Sequence, residues 1–113
     1  MITLWHNPRC SKSRQALALL QEAGAEVEPR LYLKDAPDLA EVQALVAALD
    51  VPVIEMMRRG EKAFKEAGLS KDSAEADLLA AIVAHPILIE RPVAVKGGKA
   101  IIGRPPEDAL GLL

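Results

Sequence analysis

Apolar residues open the chain in a short β-prone run, Ile2, Leu4 and Trp5, which Asn7-Pro8 brings to an end. Beyond it, Ala16, Leu17, Leu19, Leu20 and Ala23 recur at helical spacing, predicting a helix from Ser11 to Ala23 that Gly24 stops. Residues 26–33 alternate well enough for a second strand, with Val27, Leu31, Tyr32 and Leu33 as its apolar content. Strand, helix and strand in this length form a βαβ unit with a parallel pair.

The stretch 35–85 reads as almost entirely helical. Pro37 and Asp38 open a helix through Leu39, Val42, Leu45, Val46 and Leu49, and Asp50-Val51-Pro52 breaks it. A short turn of helix follows from Val53 to Arg59, then an amphipathic piece from Glu61 to Ala67 that Gly68 stops. Asp72 or Ser73 is expected to cap a last helix through Leu78, Leu79, Ile82 and Val83, with 86–89 as an apolar connector. Strands return at Val93–Lys96 and Lys99–Ile102 around Gly97-Gly98, a pair suited to a tight hairpin, and Pro105 starts a short helix ending near Leu113. The expectation is one α/β domain over 1–113, βαβ followed by ββα, with a helical insertion at about 35–85.

A length of 113 residues with 50% hydrophobic content is enough for one compact core. No apolar run approaches the ~18 residues of a membrane span. The opening MITLWHNPRC lacks the basic flank and apolar stretch of a signal peptide, so a cytoplasmic protein is expected. The net charge of −2 lacks the basic surplus of a nucleic-acid binder. Nothing in the pattern demands a dimer, and a monomer is expected. The single cysteine decides more. It excludes an intramolecular disulfide, a disulfide-stapled scaffold and a Cys-rich zinc site, and no metal is expected.

The segment His6-Asn7-Pro8-Arg9-Cys10-Ser11-Lys12-Ser13-Arg14 lies between a strand and a helix, which puts Cys10 at or just before the first helical turn. Free backbone N–H groups and the positive end of the helix dipole favour thiolate there. Arg9, Lys12 and Arg14 add positive charge, and no acid falls in the segment. The same features cradle an oxyanion, so a nucleophile attacking an oxyanion is expected rather than an inert core thiol. His6 either helps activate the thiol or simply ends the strand. Ser13, three residues after Cys10, either hydrogen-bonds the thiolate or caps the helix. Arg58, Arg91 and Arg104 stand beside structure-breaking residues, and each offers the planar fork that holds an oxyanion at two points.

HNPRCSKSR, MMRRGE, HPILIERP and GRPPE, in this order and spacing, resemble the glutaredoxin-dependent arsenate reductases of the ArsC family over essentially the whole chain. The resemblance implies a thioredoxin-like fold with a helical insertion. It also implies cytosolic reduction of arsenate to arsenite, with no bound cofactor, glutathione as co-substrate and glutaredoxin as partner. It makes Cys10 the catalytic cysteine and His6 its nearby histidine. Arg58, Arg91 and Arg104 become anion-handling arginines, and Ser13 and Arg14 the Ser-Arg pair at the helix start. Arg59 adjoins Arg58, and a one-residue slip would exchange their roles. The Arg91-Pro92 bond falls where the family tends to have a cis proline.

The mechanism so implied runs through a thiol–arsenate adduct on Cys10 and a Cys10–glutathione mixed disulfide that glutaredoxin resolves. A lone cysteine suits it, since the chain has no resolving thiol of its own. Two other readings compete. One is a thiol reductase of the same fold acting on another substrate. The other is an Spx-type regulator that binds RNA polymerase, against which stands Ser13 where that group's switch needs a second cysteine.

Overall fold

The structure is a computed structural model and describes residues 1–113. In chain order it contains strand β1 (Ile2–Trp5), helix α1 (Ser11–Glu22), strand β2 (Val27–Arg30), helix α2 (Leu39–Leu49), helix α3 (Lys62–Glu66), helix α4 (Glu75–Ala84) and strands β3 (Val93–Lys96) and β4 (Lys99–Ile102). Short 3-10 segments lie at Val53–Met56, Pro86–Leu88 and Pro106–Leu112. The chain divides into two compact units, Met1–Asp35 with Arg91–Leu113, and Ala36–Glu90.

In the first unit the strands form one mixed sheet in the order β2-β1-β3-β4. β1 pairs with β2 in parallel, Ile2 opposite Val27, and with β3 antiparallel, Leu4 opposite Ala94. Alternation along β1 puts Ile2 and Leu4 on one face, where they meet Ala16 and Leu20 of α1, Ala94 of β3 and Ala109 of the C-terminal 3-10 segment. The expected βαβ and ββα halves are therefore both present. The hairpin has the expected bounds, and of its two glycines it is Gly97 that takes a left-handed φ, +61°.

The second strand is shorter than the alternation over 26–33 predicts. Its pairing stops at Trp5 opposite Arg30, because β1 ends there and β2 is an edge strand with no other neighbour. Past that point the amides of Lys34 and Asp35 both turn back to the carbonyl of Leu31. Tyr32 goes inward against the Trp5 ring, 5.9 Å between centroids, while the Arg30 guanidinium lies 5.6 Å above that ring. Leu31 and Leu33 are left exposed.

The second unit is helical, as expected for the insertion. Asp38 opens α2 with a complete capping box: its carboxylate accepts the Glu41 amide at 2.8 Å, and Glu41 reaches back to the Asp38 amide. α4 is not capped by Asp72 or Ser73. The Ser73 hydroxyl instead accepts the Ser70 amide at 2.9 Å, closing a turn before the helix, and Ala74 takes the cap position. Met57 and Ile89 form an isolated antiparallel bridge, flanked by Arg58 N–H to Leu88 C=O and Glu90 N–H to Met56 C=O, both 2.7 Å.

Leu4 has no exposed surface at the centre of the first unit's core. Truncating it to alanine removes buried methyl groups and leaves a cavity, so Leu4→Ala is expected to lower unfolding free energy by about 2–5 kcal/mol. Urea unfolding of both proteins checks this. A loss well under about 1 kcal/mol would show that Leu4 is not a core residue.

Candidate active site

Five residues, 6–10, carry the chain from the end of β1 to the start of α1. Asn-Pro is a favoured opening for such a turn, since asparagine accepts from the backbone ahead of it and proline pre-sets φ at the next position. The Asn7 carbonyl accepts the Cys10 amide at 3.0 Å, and its Oδ1 accepts the Arg9 amide at 3.0 Å. Cys10 is left in an extended conformation at the N-cap of α1, and its carbonyl takes the first helical hydrogen bond, from the Arg14 amide. The sequence expectation for the cysteine's place is met.

The Cys10 thiol is half-buried and unpaired with any other cysteine. Its side chain makes no complete capping hydrogen bond, yet the Ser13 and Lys12 amides face the sulfur closely enough to favour the thiolate. Burial is the largest influence on the thiol and pushes its pKa up. The Ser13 amide, hydrogen bonding by Arg91, the Lys12 amide and the Arg91 charge together outweigh it, so the pKa falls below its ordinary value. Arg104 adds its Nη2 at 3.9 Å from the sulfur.

Arg91 and Arg104 meet around this thiol because the first unit folds their segments together. Gly103 donates its amide to the Pro92 carbonyl at 2.8 Å, and a Cβ there would lie 3.0 Å from the Pro92 ring, so glycine allows the close approach. The next residue, Arg104, donates Nε to the Arg91 carbonyl at 2.8 Å. The peptides before Pro92 and Pro105 are both cis; the first is the one the resemblance implies, the second is not foreseen. The Nε and Nη1 of Arg91 are buried with no acceptor in the protein. Buried guanidinium donors are seldom left so, and such donors suit an anion.

The other expected residues fall elsewhere. The Ser13 hydroxyl neither reaches the thiol nor caps the helix. It has no exposed surface, shares a 2.6 Å hydrogen bond with His6 Nδ1, and accepts the Asn7 amide at 3.1 Å. Spacing three apart put Ser13 on the face of Cys10, but its hydroxyl turns to His6 and Asn7 instead. His6 is buried and makes no hydrogen bond to Cys10. Burial first, and the Arg14 charge second, lower its pKa, so its imidazole is neutral at neutral pH. Arg14 donates Nη1 to the Pro8 carbonyl at 2.8 Å, bracing the loop from the first turn of the helix.

Arg58 belongs to the second unit, where Glu61 accepts its Nε at 2.9 Å and Glu90 lies 3.5 Å from its Nη1. Arg59 beside it is exposed, so of the two Arg58 is the one held in place. No group of three or more His, Cys, Asp or Glu lies together as a metal site, and no helix is long and apolar enough to cross a membrane. Asn7 is the residue that sequence reasoning missed. It reads as a strand breaker, and only the folded loop shows what its atoms hold.

The model of the ArsC family matches residues 5–112. The chain belongs to the ArsC family. It is 44% identical to an arsenate reductase of Neisseria meningitidis, over 99% of this chain and 97% of that protein. It is 45% identical to the uncharacterized protein YfgD of Escherichia coli, over 99% and 96%. Among solved structures, an arsenate reductase from Vibrio cholerae superposes with a TM-score of 0.94 at 41% identity, covering 99% of this chain and 97% of that one. The ArsC-family fold is thioredoxin-like, as the resemblance implies, and this chain shares it.

The lowered pKa of Cys10 has a direct signature. Because the folded value lies below the unfolded one, the thiolate persists to lower pH in the native protein. Its contribution to stability is present above the unfolded pKa and is lost as pH falls through the folded one. Iodoacetamide alkylation followed against pH is expected to give a midpoint below that of a free cysteine, and Arg91→Gln is expected to move it upward. A free-cysteine midpoint in the unaltered protein would contradict the geometry.

Proposed function

We propose that this protein is a cytoplasmic, monomeric arsenate reductase that draws its electrons from glutathione and glutaredoxin. The observation that carries the reading is the juxtaposition at Cys10: a sulfur whose pKa its surroundings lower, with Arg104 Nη2 3.9 Å away and two buried Arg91 donors lacking any acceptor. A nucleophile set among fixed donors suits a tetrahedral oxyanion, and the donors are pre-oriented before the anion arrives. Family membership and the arsenate reductases among the relatives support arsenate as that anion.

In this account Arg91 and Arg104 hold arsenate over the sulfur. The family correspondence gives Arg58 an anion-handling role as well, and Glu61 and Glu90 hold its guanidinium within the second unit. The Cys10 thiolate attacks As(V) and a protonated oxygen leaves as water, forming an S–As bond. Glutathione thiolate then attacks the Cys10 sulfur. The S–S bond forms as the S–As bond breaks, and the bonding pair passes to arsenic, so As(V) becomes As(III) while two thiols become one disulfide. Glutaredoxin exchanges with the Cys10–glutathione disulfide and returns the thiolate. Neutral His6 and Ser13 act through the loop, holding its backbone, and Arg14 braces the same loop at Pro8.

A coupled assay tests the proposal: NADPH oxidation with arsenate, glutathione, glutaredoxin and glutathione reductase. Turnover that requires both arsenate and glutaredoxin, and that vanishes in Cys10→Ser, is the expected result. Residual turnover in that variant would remove Cys10 from the nucleophile's role. No turnover in the unaltered protein, with Cys10 still readily alkylated, would leave a thiol reductase of another substrate.

A further inference from the structure

Asn7 is buried to 8% exposure in the turn that delivers Cys10, and each of its backbone and side-chain acceptors and its amide has a different partner. Its amide donates to the Ser13 hydroxyl at 3.1 Å, its carbonyl accepts the Cys10 amide at 3.0 Å, and Oδ1 accepts the Arg9 amide at 3.0 Å. One uncharged residue thus ties the loop to the first turn of α1, to the cysteine and to the residue before it. We propose that Asn7 is the positioning residue of the thiol loop, clamping residues 7–10 so that the Cys10 sulfur stays against the Lys12 and Ser13 amides. The proposal rests on the reading of Cys10 as the nucleophile.

The side chain is what makes the clamp specific. Pro8 has no N–H, so the Arg9 amide is the first donor ahead of Asn7, and a carbonyl on a one-carbon stem reaches it. Arg9 is exposed, so without Oδ1 its amide turns to water and the turn loses its inner closure. Cys10 follows directly, and its sulfur has no anchor on the loop's far side beyond the helix amides and the guanidinium groups of Arg91 and Arg104. Burial already works against the thiolate at this position, and the amides and Arg91 overcome it. Small displacements of the sulfur therefore let burial prevail. The charged neighbours, Arg14, Arg91 and Arg104, and neutral His6, stay the same when Asn7 alone is changed.

The readout is iodoacetamide alkylation of Cys10 against pH in the full chain, alongside thermal unfolding. Asn7→Ala is expected to raise the thiol midpoint by about half a unit or more, slowing alkylation roughly threefold below the midpoint. Asn7→Ser, whose hydroxyl closes the same turn more weakly, is expected to recover most of that shift. A merely structural asparagine would lower the unfolding temperature in both variants and leave the midpoint alone, which would overturn the proposal. Equal shifts in the alanine and serine variants would overturn it too, because the acceptor would then be irrelevant. Should Asn7→Ala not fold, Asn7→Gln keeps the amide but sets the acceptor one carbon out of register; it is expected to show the upward shift, and an unshifted midpoint there also overturns the proposal. No arsenate enters the measurement, so its outcome is separable from that of the turnover assay.

Discussion

The Lys12 and Ser13 amides can serve the Cys10 sulfur only because β1 stops at Trp5 and α1 starts at Ser11, leaving a turn just long enough to set a cysteine at the helix N-cap. Much of the first unit's packing maintains that junction. Leu4 in β1 and Ala16 and Leu20 in α1 share one core, so strand and helix cannot slide without opening it. The loop between them needs only local hydrogen bonds to be fixed, and the Asn7, Ser13 and His6 set supplies them. An extended residue followed by free helix amides is a natural place for negative charge. Sulfur occupies it here.

A thiolate at that point faces two opposing influences. Burial favours the neutral thiol, and the amides with Arg91 favour the anion more. Arg91 is placed by a strand junction distant in sequence, and Arg104 is tied to it through the Arg91 carbonyl at 2.8 Å. A backbone carbonyl thus helps to orient Arg104 beside Arg91. Arg58 differs, being paired with Glu61 and Glu90 within its own unit. In the proposed function, the buried, unmatched donors of Arg91 and the Cys10 sulfur receive the anion, and preparation of this kind lowers the reorganisation that reaction would otherwise require.

Much of this could be read from residues alone, and the limits have physical causes. The hairpin bounds match because two glycines interrupt a clear alternation, and the place of Cys10 follows from a strand breaker and a helix start. β2 ends early because pairing depends on the length of β1, which lies outside its own window. The cap of α4 is misplaced because the Ser73 hydroxyl has a competing local acceptor role towards Ser70. Ser13 lies on the right helical face for the thiol, but a buried histidine seven residues back takes its hydroxyl. Asn7 looked like punctuation, since its three bonds exist only once the turn has closed. Which arginines share a cluster with Cys10 is set by tertiary contacts: their places beside structure-breaking residues single out Arg58, Arg91 and Arg104, and only the family resemblance implies a common anion-handling role.

The central claim is that arsenate is reduced on the Cys10 sulfur and leaves that sulfur joined to glutathione. Intact-protein mass spectrometry after incubation with arsenate and glutathione, without glutaredoxin, tests it most directly. The expected result is one glutathione per chain, located on Cys10, that forms only when arsenate is present and disappears on adding glutaredoxin. An adduct that forms equally without arsenate, or no adduct while arsenite accumulates, would contradict the account.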